Sequence, residues 1–397
     1  MVIFPSSPLH TLAELRADLP LTNDVIYLQS GSYTPIPQVT QAWMSEMLRL
    51  ENEVVLGLAG QGQASDFYAL AEAARQTLAA FLGVAAHEVA WAHNTTMATR
   101  LAIQSLSWAA GDKLALSDVE HVSTVALAQG MAQQLGVTTT VISSGDGPTY
   151  TPAFFLEQLD HQLTPDHKLL ILCHVANTDG RRLPVKEAVQ LARARGVKTL
   201  IDGAQAVGVF PVDAGAIAAD FYTGSLHKWL MGPAGLGFLV VNRTHLPAYN
   251  PFWLPRSDEK PHSAATQSEL GTPNYTLRLG AGYAVTLLQQ LGLSAIENHM
   301  ASLTAQLRTG LHSIPGLRNA GPEPWSLSSS LTTVQVAGGS LDHCQQLVTL
   351  LRERYRIITK VRPEVCGVRI SLAAFTTVEE VEQLLTALAA TVPLVKQ

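Results

Sequence analysis

Between residues 64 and 241, short apolar runs alternate with amphipathic stretches, and few folds accommodate that alternation. Residues 64–82 carry the period of a helix. Residues 88–93 read as a strand, 95–108 as a helix, 113–117 as a strand and 123–135 as a helix. A strand follows at 168–175 and a helix at 185–195. Runs at 198–201, 220–223 and 235–241 complete the strand series. Strands that alternate with helices predict an α/β domain with a mostly parallel sheet flanked by helices. Residues 244–275 are irregular and rich in Pro, Ser and Thr, and 276–312 return to helix. A strand at 331–336, a helix at 342–354, a strand at 368–372 and a helix at 378–390 then describe a smaller α+β domain. The expected division is an N-terminal segment, 1–30, packing on the small domain, a large domain at 31–280 and the small domain at 281–397.

The bulk numbers fit that size. A chain of 397 residues with 47% hydrophobic content buries a large core and divides into two domains. Charged residues make up only 15%, so much surface is buried, a subunit interface included. The net charge is −6 and no basic cluster occurs, which argues against nucleic acid and anionic membranes as partners. The first ten residues lack the basic and apolar regions of a signal peptide. The runs at 169–173 and 235–241 are too short to span a bilayer. Three cysteines, Cys173, Cys344 and Cys366, show no zinc-type spacing, and no metal is expected. A reduced, cytoplasmic setting suits them.

In an open α/β sheet, ligands bind beyond the carboxyl ends of the strands. Those positions hold Asn94, Thr95 and Thr96; Asp118, Glu120 and His121; Asn177; Asp202 and Gln205; and Ser225, His227 and Lys228. Five strands thus deliver polar residues to one edge. Asp202 ends a strand and can face a protonated ring nitrogen. Lys228 can form a Schiff base, and a lysine imine with an aspartate on a pyridinium nitrogen is the signature of pyridoxal phosphate (PLP). Thr95 and Thr96 open a helix, where backbone N–H groups bind phosphate. Alone, Lys228 would be a snorkelling lysine, His121 a structural histidine, Asp202 a helix cap and Arg369 an ion-pair partner. Their joint placement outweighs those readings. His93 and His174 fall within strands and read as core, as does Cys173. The spacing of Gly232, Gly235 and Gly237 is not that of a dinucleotide fingerprint.

The run Asp202-Gly-Ala-Gln-Ala-Val207, with Ser225-Leu-His-Lys228 and Gly232-Pro-Ala-Gly-Leu-Gly237, resembles the class V aminotransferase and cysteine desulfurase group of fold-type I PLP enzymes. The similarity runs from Tyr27 to about Thr377. It implies that Lys228 bonds to the cofactor, His121 stacks on the ring, and Asp202 holds the ring nitrogen. Asn177 or Gln205 would contact the ring oxygen. Thr95, Thr96, Ser225 and His227 would hold the phosphate. Thr272, in Gly271-Thr-Pro-Asn274, would complete the site of a partner subunit in a homodimer. Arg369 matches the arginine for the α-carboxylate of an amino-acid substrate. Ser32, within 27–33, and residues 57–63 would line the entrance.

Within the group, the short segment 359–369 resembles the cysteine/cystine C–S lyase branch. Lys360 stands where those lyases carry a second arginine for a distal carboxylate. Persulfide-forming desulfurases carry their nucleophilic cysteine on a loop well before the carboxylate arginine, whereas Cys366 lies three residues before Arg369. The expected reaction is therefore β-elimination at a C–S bond. Transamination, epimerisation, persulfide formation and a catalytically silent scaffold stay open at this stage.

Overall fold

The computed structural model describes residues 5–254 and 262–395. The irregular stretch expected at 244–275 is thus described except for 255–261, and the terminal segments except for 1–4 and 396–397. Strands β1 (Ile26–Tyr27), β2 (Val89–Ala92), β3 (Lys113–Ser117), β4 (Thr138–Ile142), β5 (His167–Cys173), β6 (Lys198–Asp202), β7 (Phe221–Ser225) and β8 (Gly237–Val241) come first in the chain. The last seven form one sheet in the order β2-β8-β7-β6-β5-β3-β4. Strand β8 runs antiparallel to both neighbours, and every other pairing is parallel.

This sheet is buried on both faces, which is why its strands are unbroken apolar runs. Successive residues serve different cores. Leu170, Leu172, Ile201 and Tyr222 pack into one, with the helix Gln61–Phe81. Leu169, Ile171, Leu200 and Phe221 pack into the other, with the helix Thr95–Gln104. Strand β4, which the apolar pattern does not reveal, lies at the sheet edge and exposes most of its Thr-rich length. The helices Gln38–Val55 and Pro152–Gln162 were likewise absent from the expected list.

The second layer holds β9 (Leu317–Asn319), β10 (Leu331–Val336), β11 (Ile357–Ile358), β12 (Lys360–Arg362) and β13 (Gly367–Ser371). An antiparallel sheet of order β12-β13-β10-β9 packs on the helices Leu341–Tyr355 and Val378–Val395. The N-terminal segment is tied to this layer. Strand β1 pairs in parallel with β11, and both Arg16 Nη atoms reach the Glu380 carboxylate at 2.9 Å. The helical stretch expected at 276–312 consists of two helices, Tyr275–Leu291 and Leu293–Leu311. They meet at Gly292, whose φ of +83° places it in the left-handed region, and bend by 74°. The irregular stretch contains a short helix, Ala264–Ser268, capped by Ser263. Among the described residues no single helix is long and apolar enough to cross a membrane.

The layers meet at the loop after β5. Ser329 Oγ donates to the Gly180 carbonyl at 3.1 Å, and Arg369 Nη1 donates to the Asn177 carbonyl at 3.0 Å. That contact carries a cation from β13 over the carboxyl ends of the large sheet.

Candidate active site

Where the carboxyl ends of β2, β3, β5, β6 and β7 meet the second layer, a cavity of about 310 Å³ opens. Lys228, Asp202, His121, Thr95, Thr96 and Asn177 line it. So do Gln205, Ser225, His227, Ser32, Lys360 and Arg369. Of the residues expected at the site, only Thr272 lies elsewhere, in a separate cavity with Trp91, Phe252 and Leu270. Residues 57–63 do not line this cavity either; they run from the connection between two long helices into the first turn of the second.

One end of the cavity is built from hydroxyls and a helix N-terminus. Asn94 caps the helix Thr95–Gln104, its Oδ1 accepting from the Met97 N–H at 2.9 Å. The Thr95 and Ser225 hydroxyls bond at 2.7 Å, and the Thr95 N–H donates to Ser225 Oγ at 3.1 Å. Thr96 Oγ1 lies 3.1 Å from Ser123 Oγ, which in turn lies 2.6 Å from His121 Nδ1. The Ser123 N–H also donates to His121 Nδ1, at 3.2 Å. Nδ1 is therefore an acceptor, and the ring proton sits on Nε2. Burial, reinforced by Lys228, pushes His121 down to about 4, so the ring is neutral at pH 7. The same two causes push His227 down to about 4. Its Nδ1 is buried without a partner, and its ring stacks on Tyr33 at 5.7 Å.

The middle of the cavity holds the charged pair. Asp202 is 6% exposed, and its Oδ1 accepts from the Ala204 N–H at 2.9 Å. Burial raises its proton affinity against the opposing pull of Lys228. Burial lowers Lys228 to about 8; Asp202 resists that shift, and Arg369, Arg362 and Lys360 add to it. Gln205 is committed on both sides: Nε2 donates to the Gly31 carbonyl at 2.8 Å, and Oε1 accepts from Trp229 Nε1 at 2.9 Å. Asn177, by contrast, has both amide atoms buried without a partner. Of the two residues expected at the ring oxygen, Asn177 is the one with donors to spare.

The far end is cationic. Arg369 is 1% exposed; its Nη2 donates to Ser32 Oγ at 2.7 Å and its Nε is unpartnered. Burial, then Arg362, pushes it down to about 9. A Cβ at Gly31 would stand 3.1 Å from its Cζ and 2.9 Å from Leu331 Cδ2, so a side chain here would push the Arg369 fork or its neighbour aside. Lys360 pairs with Arg369 across β12 and β13. Arg362, two residues on and so on the same face of β12, also lines the cavity. It binds Glu364 at 2.9 Å through Nη2 and leaves Nε unpartnered. Sequence reasoning missed Arg362. The period-2 spacing Lys360-x-Arg362 was the available signal.

Of the three residues expected in the core, one is not there, one is, and one is shared with the cavity. His93 is exposed rather than core, because the β2–β8 ladder ends at Ala92 opposite Gly237. His174 is buried, with Nδ1 2.9 Å from the Tyr222 hydroxyl. Cys173 is buried yet also lines the cavity, at the end of β5. Among the described residues no cluster of His, Cys, Asp or Glu is arranged to hold a metal.

The class-V aminotransferase profile matches residues 26–384. The chain belongs to the class-V aminotransferase family. A probable cysteine desulfurase of Vibrio cholerae is 30% identical over 392 residues, covering 92% of this chain and 93% of that protein. The isopenicillin N epimerase of Streptomyces clavuligerus is 29% identical over 399 residues, covering 94% and 97%. The structure of the cystine C–S lyase C-DES with its product cysteine persulfide shares the fold, with a TM-score of 0.81 and 24% identity over 94% of this chain and 99% of that one. The class-V enzyme is thus PLP-dependent and has the α/β fold of fold-type I. The cavity suits that cofactor. A phosphate would meet the Thr95–Thr96 N-terminus, the Ser225 hydroxyl and the free His227 nitrogen. The ring would lie under neutral His121 with its nitrogen toward Asp202 and its oxygen toward the unpartnered Asn177 amide.

Proposed function

We propose that this class-V enzyme is a C–S (β-)lyase that cleaves cystine, cysteine or a related S-substituted amino acid. The placement of the cysteines carries the reading. Cys366 ends the turn between β12 and β13, and its Sγ faces the Gly339 carbonyl at 3.8 Å. It packs against the core of the second layer and does not line the cavity. Cys173 does line it, but burial, with the Asp202 carboxylate nearby, holds its thiol protonated. Cys366 lies outside the cavity and Cys173 is held as a thiol, so neither takes sulfur from a substrate and sulfur leaves with the product.

PLP, when bound, supplies the electron sink that makes loss of a Cα proton and a β-substituent accessible. The protein does the rest. Arg369 holds the α-carboxylate in a fork oriented by Ser32 and Asn177. The Lys228 amine, at about 8, takes the Cα proton. The Cβ–S bond then breaks with its electron pair going to sulfur, which is protonated as it leaves. The carbon fragment departs as aminoacrylate, and one water converts it to pyruvate and ammonia. From cystine the sulfur product is cysteine persulfide, so atoms balance with one water consumed. Lys360 and Arg362 give the cavity two cations beyond Arg369, which suits a second carboxylate at the distal end of cystine. An arginine beside Lys360 supports the distal recognition that Lys360 alone left incomplete. A homodimer, with Thr272 reaching the partner's phosphate end, and a reducing cytoplasm for three free cysteines belong to the same reading.

Product analysis tests it. Purified protein with PLP is offered cystine, cysteine, or alanine with 2-oxoglutarate. Pyruvate and released sulfur in equal amounts are expected from cystine, and Cys366→Ser retains that activity. Glutamate from the alanine mixture would make the enzyme a transaminase. Loss of sulfur release in Cys366→Ser would make it a persulfide-forming desulfurase.

A further inference from the structure

Behind Asp202 lies an acid that the reaction above does not use. Glu120 follows β3 and directly precedes His121, yet its side chain turns into the sheet and is 7% exposed. Its Oε1 accepts from the Ser117 hydroxyl at 2.5 Å and from the Cys173 N–H at 2.6 Å. Its Oε2 is buried with no partner. A buried carboxylate needs a cation or a full set of donors; with neither at Oε2, the protonated acid is the less costly form.

Its neighbours enforce the same state. Cys173 ends β5 in register with Asp202 at the end of β6, and the His174 N–H donates to the Asp202 carbonyl at 2.8 Å. The titratable groups that face Glu120 from these strands are therefore both acids, Cys173 and Asp202. From β3 it meets only the neutral Ser117. Asp118, on its own segment, turns to the loop after β4, where the Ser143 and Ser144 hydroxyls bind it. The cation Lys228 acts on Asp202. Burial, with Asp202 adding to it, raises Glu120 to about 8.

We infer that Glu120 is a positioning residue held as a neutral acid behind Asp202, leaving Asp202 as the single negative charge at the ring-nitrogen end of the cavity. Two carboxylates on either side of β5 here would split one proton between them. A neutral Glu120 removes that competition, so Asp202 meets the pyridinium nitrogen as a full anion. The inference rests on the PLP reading only for what Asp202 faces.

The test is the pH profile of thermal stability of the full chain, with and without PLP, for wild type and Glu120→Gln. Gln keeps an acceptor for Ser117 and Cys173 and removes the ionisable proton. In the unfolded chain Glu120 releases its proton near 4.5, and in the fold near 8. Between those values the fold holds a proton that the unfolded chain has lost, so wild type loses stability as pH rises through the window. The melting temperature of Glu120→Gln should therefore gain on wild type from about pH 5 to about pH 8 and then run parallel. With PLP bound, the pyridinium partly cancels the Asp202 charge, and the end of that window should move to lower pH. Parallel curves throughout would overturn the neutral acid. An identical window with and without PLP would overturn its action through Asp202. Should Glu120→Gln not fold, the infrared spectrum of wild type decides: a protonated carboxyl band at neutral pH is expected, and its absence refutes the inference. Failure to bind PLP at all would sink the proposed function and leave the profile of the free protein as a test of Glu120.

Discussion

Lys228 serves as a base only after its amine has lost its proton. Burial has already brought that amine from 10.5 to about 8. Once substrate has displaced the amine from the cofactor the free base is the active form, so kcat should rise with pH and level off above about 8. Below that limb each pH unit costs about tenfold. Lys228→Ala should lose about 10²–10⁴ in turnover together with the visible absorption of bound PLP. Full activity in that variant would end the mechanism. Lys228 and Asp202 were legible in the sequence because Asp202 ends an apolar strand and Lys228 lies three residues past another, where backbone order fixes side-chain position. The choice between Asn177 and Gln205 was not legible. It depends on Trp229 and the Gly31 carbonyl, contacts made by segments far apart in sequence. Glu120 was named among the polar residues after β3, but its inward turn was visible only in three dimensions.

At the scale of elements, the strands of the large sheet were readable because both of their faces are buried. Their apolar runs needed no period to be recognised. Strand β4 escaped because an edge strand with exposed threonines carries no such signal. Strand β12 escaped because three residues, two of them cationic, look like a loop. Yet β12 matters for specificity. Antiparallel pairing sets Lys360 opposite Arg369 and Arg362 opposite Gly367, so nothing on β13 shields the Arg362 guanidinium. A charge-assisted hydrogen bond contributes about 1.5–3 kcal/mol, or roughly 10- to 100-fold in binding. Arg362→Ala should therefore raise KM for cystine by about that factor while leaving KM for a monocarboxylate such as S-methylcysteine within about threefold. Equal losses for both substrates would place Arg362 in the fold rather than in distal recognition. Arg362→Lys should restore little, since a point charge does not reproduce the fork.

At the scale of the whole molecule, Thr272 is the residue that a single chain leaves outside its own site. Its cavity, of about 550 Å³, is open, and Phe252 and Leu270 beside it are 37% and 55% exposed. Apolar surface of that kind suits an interface between copies. A two-fold dimer would bring each Thr272 toward the partner's Lys228 cavity, and such an arrangement makes a distinctive prediction about mixtures. Lys228→Ala disables the site that contains the substituted lysine. Thr272→Arg disables the site that receives the substituted threonine, which is the partner's. In a hybrid of the two, both lesions fall in one site, and the other is built entirely from unchanged residues. Each variant alone should be inactive, whereas co-refolded or co-expressed variants should recover about a quarter of wild-type activity per protomer, because half the dimers are hybrids with one good site each. The same mixture should run at the mass of a dimer in light scattering. No recovery from a mixture proven dimeric would mean that Thr272 acts within its own chain or not at all, and the site would then have to be complete in one protomer.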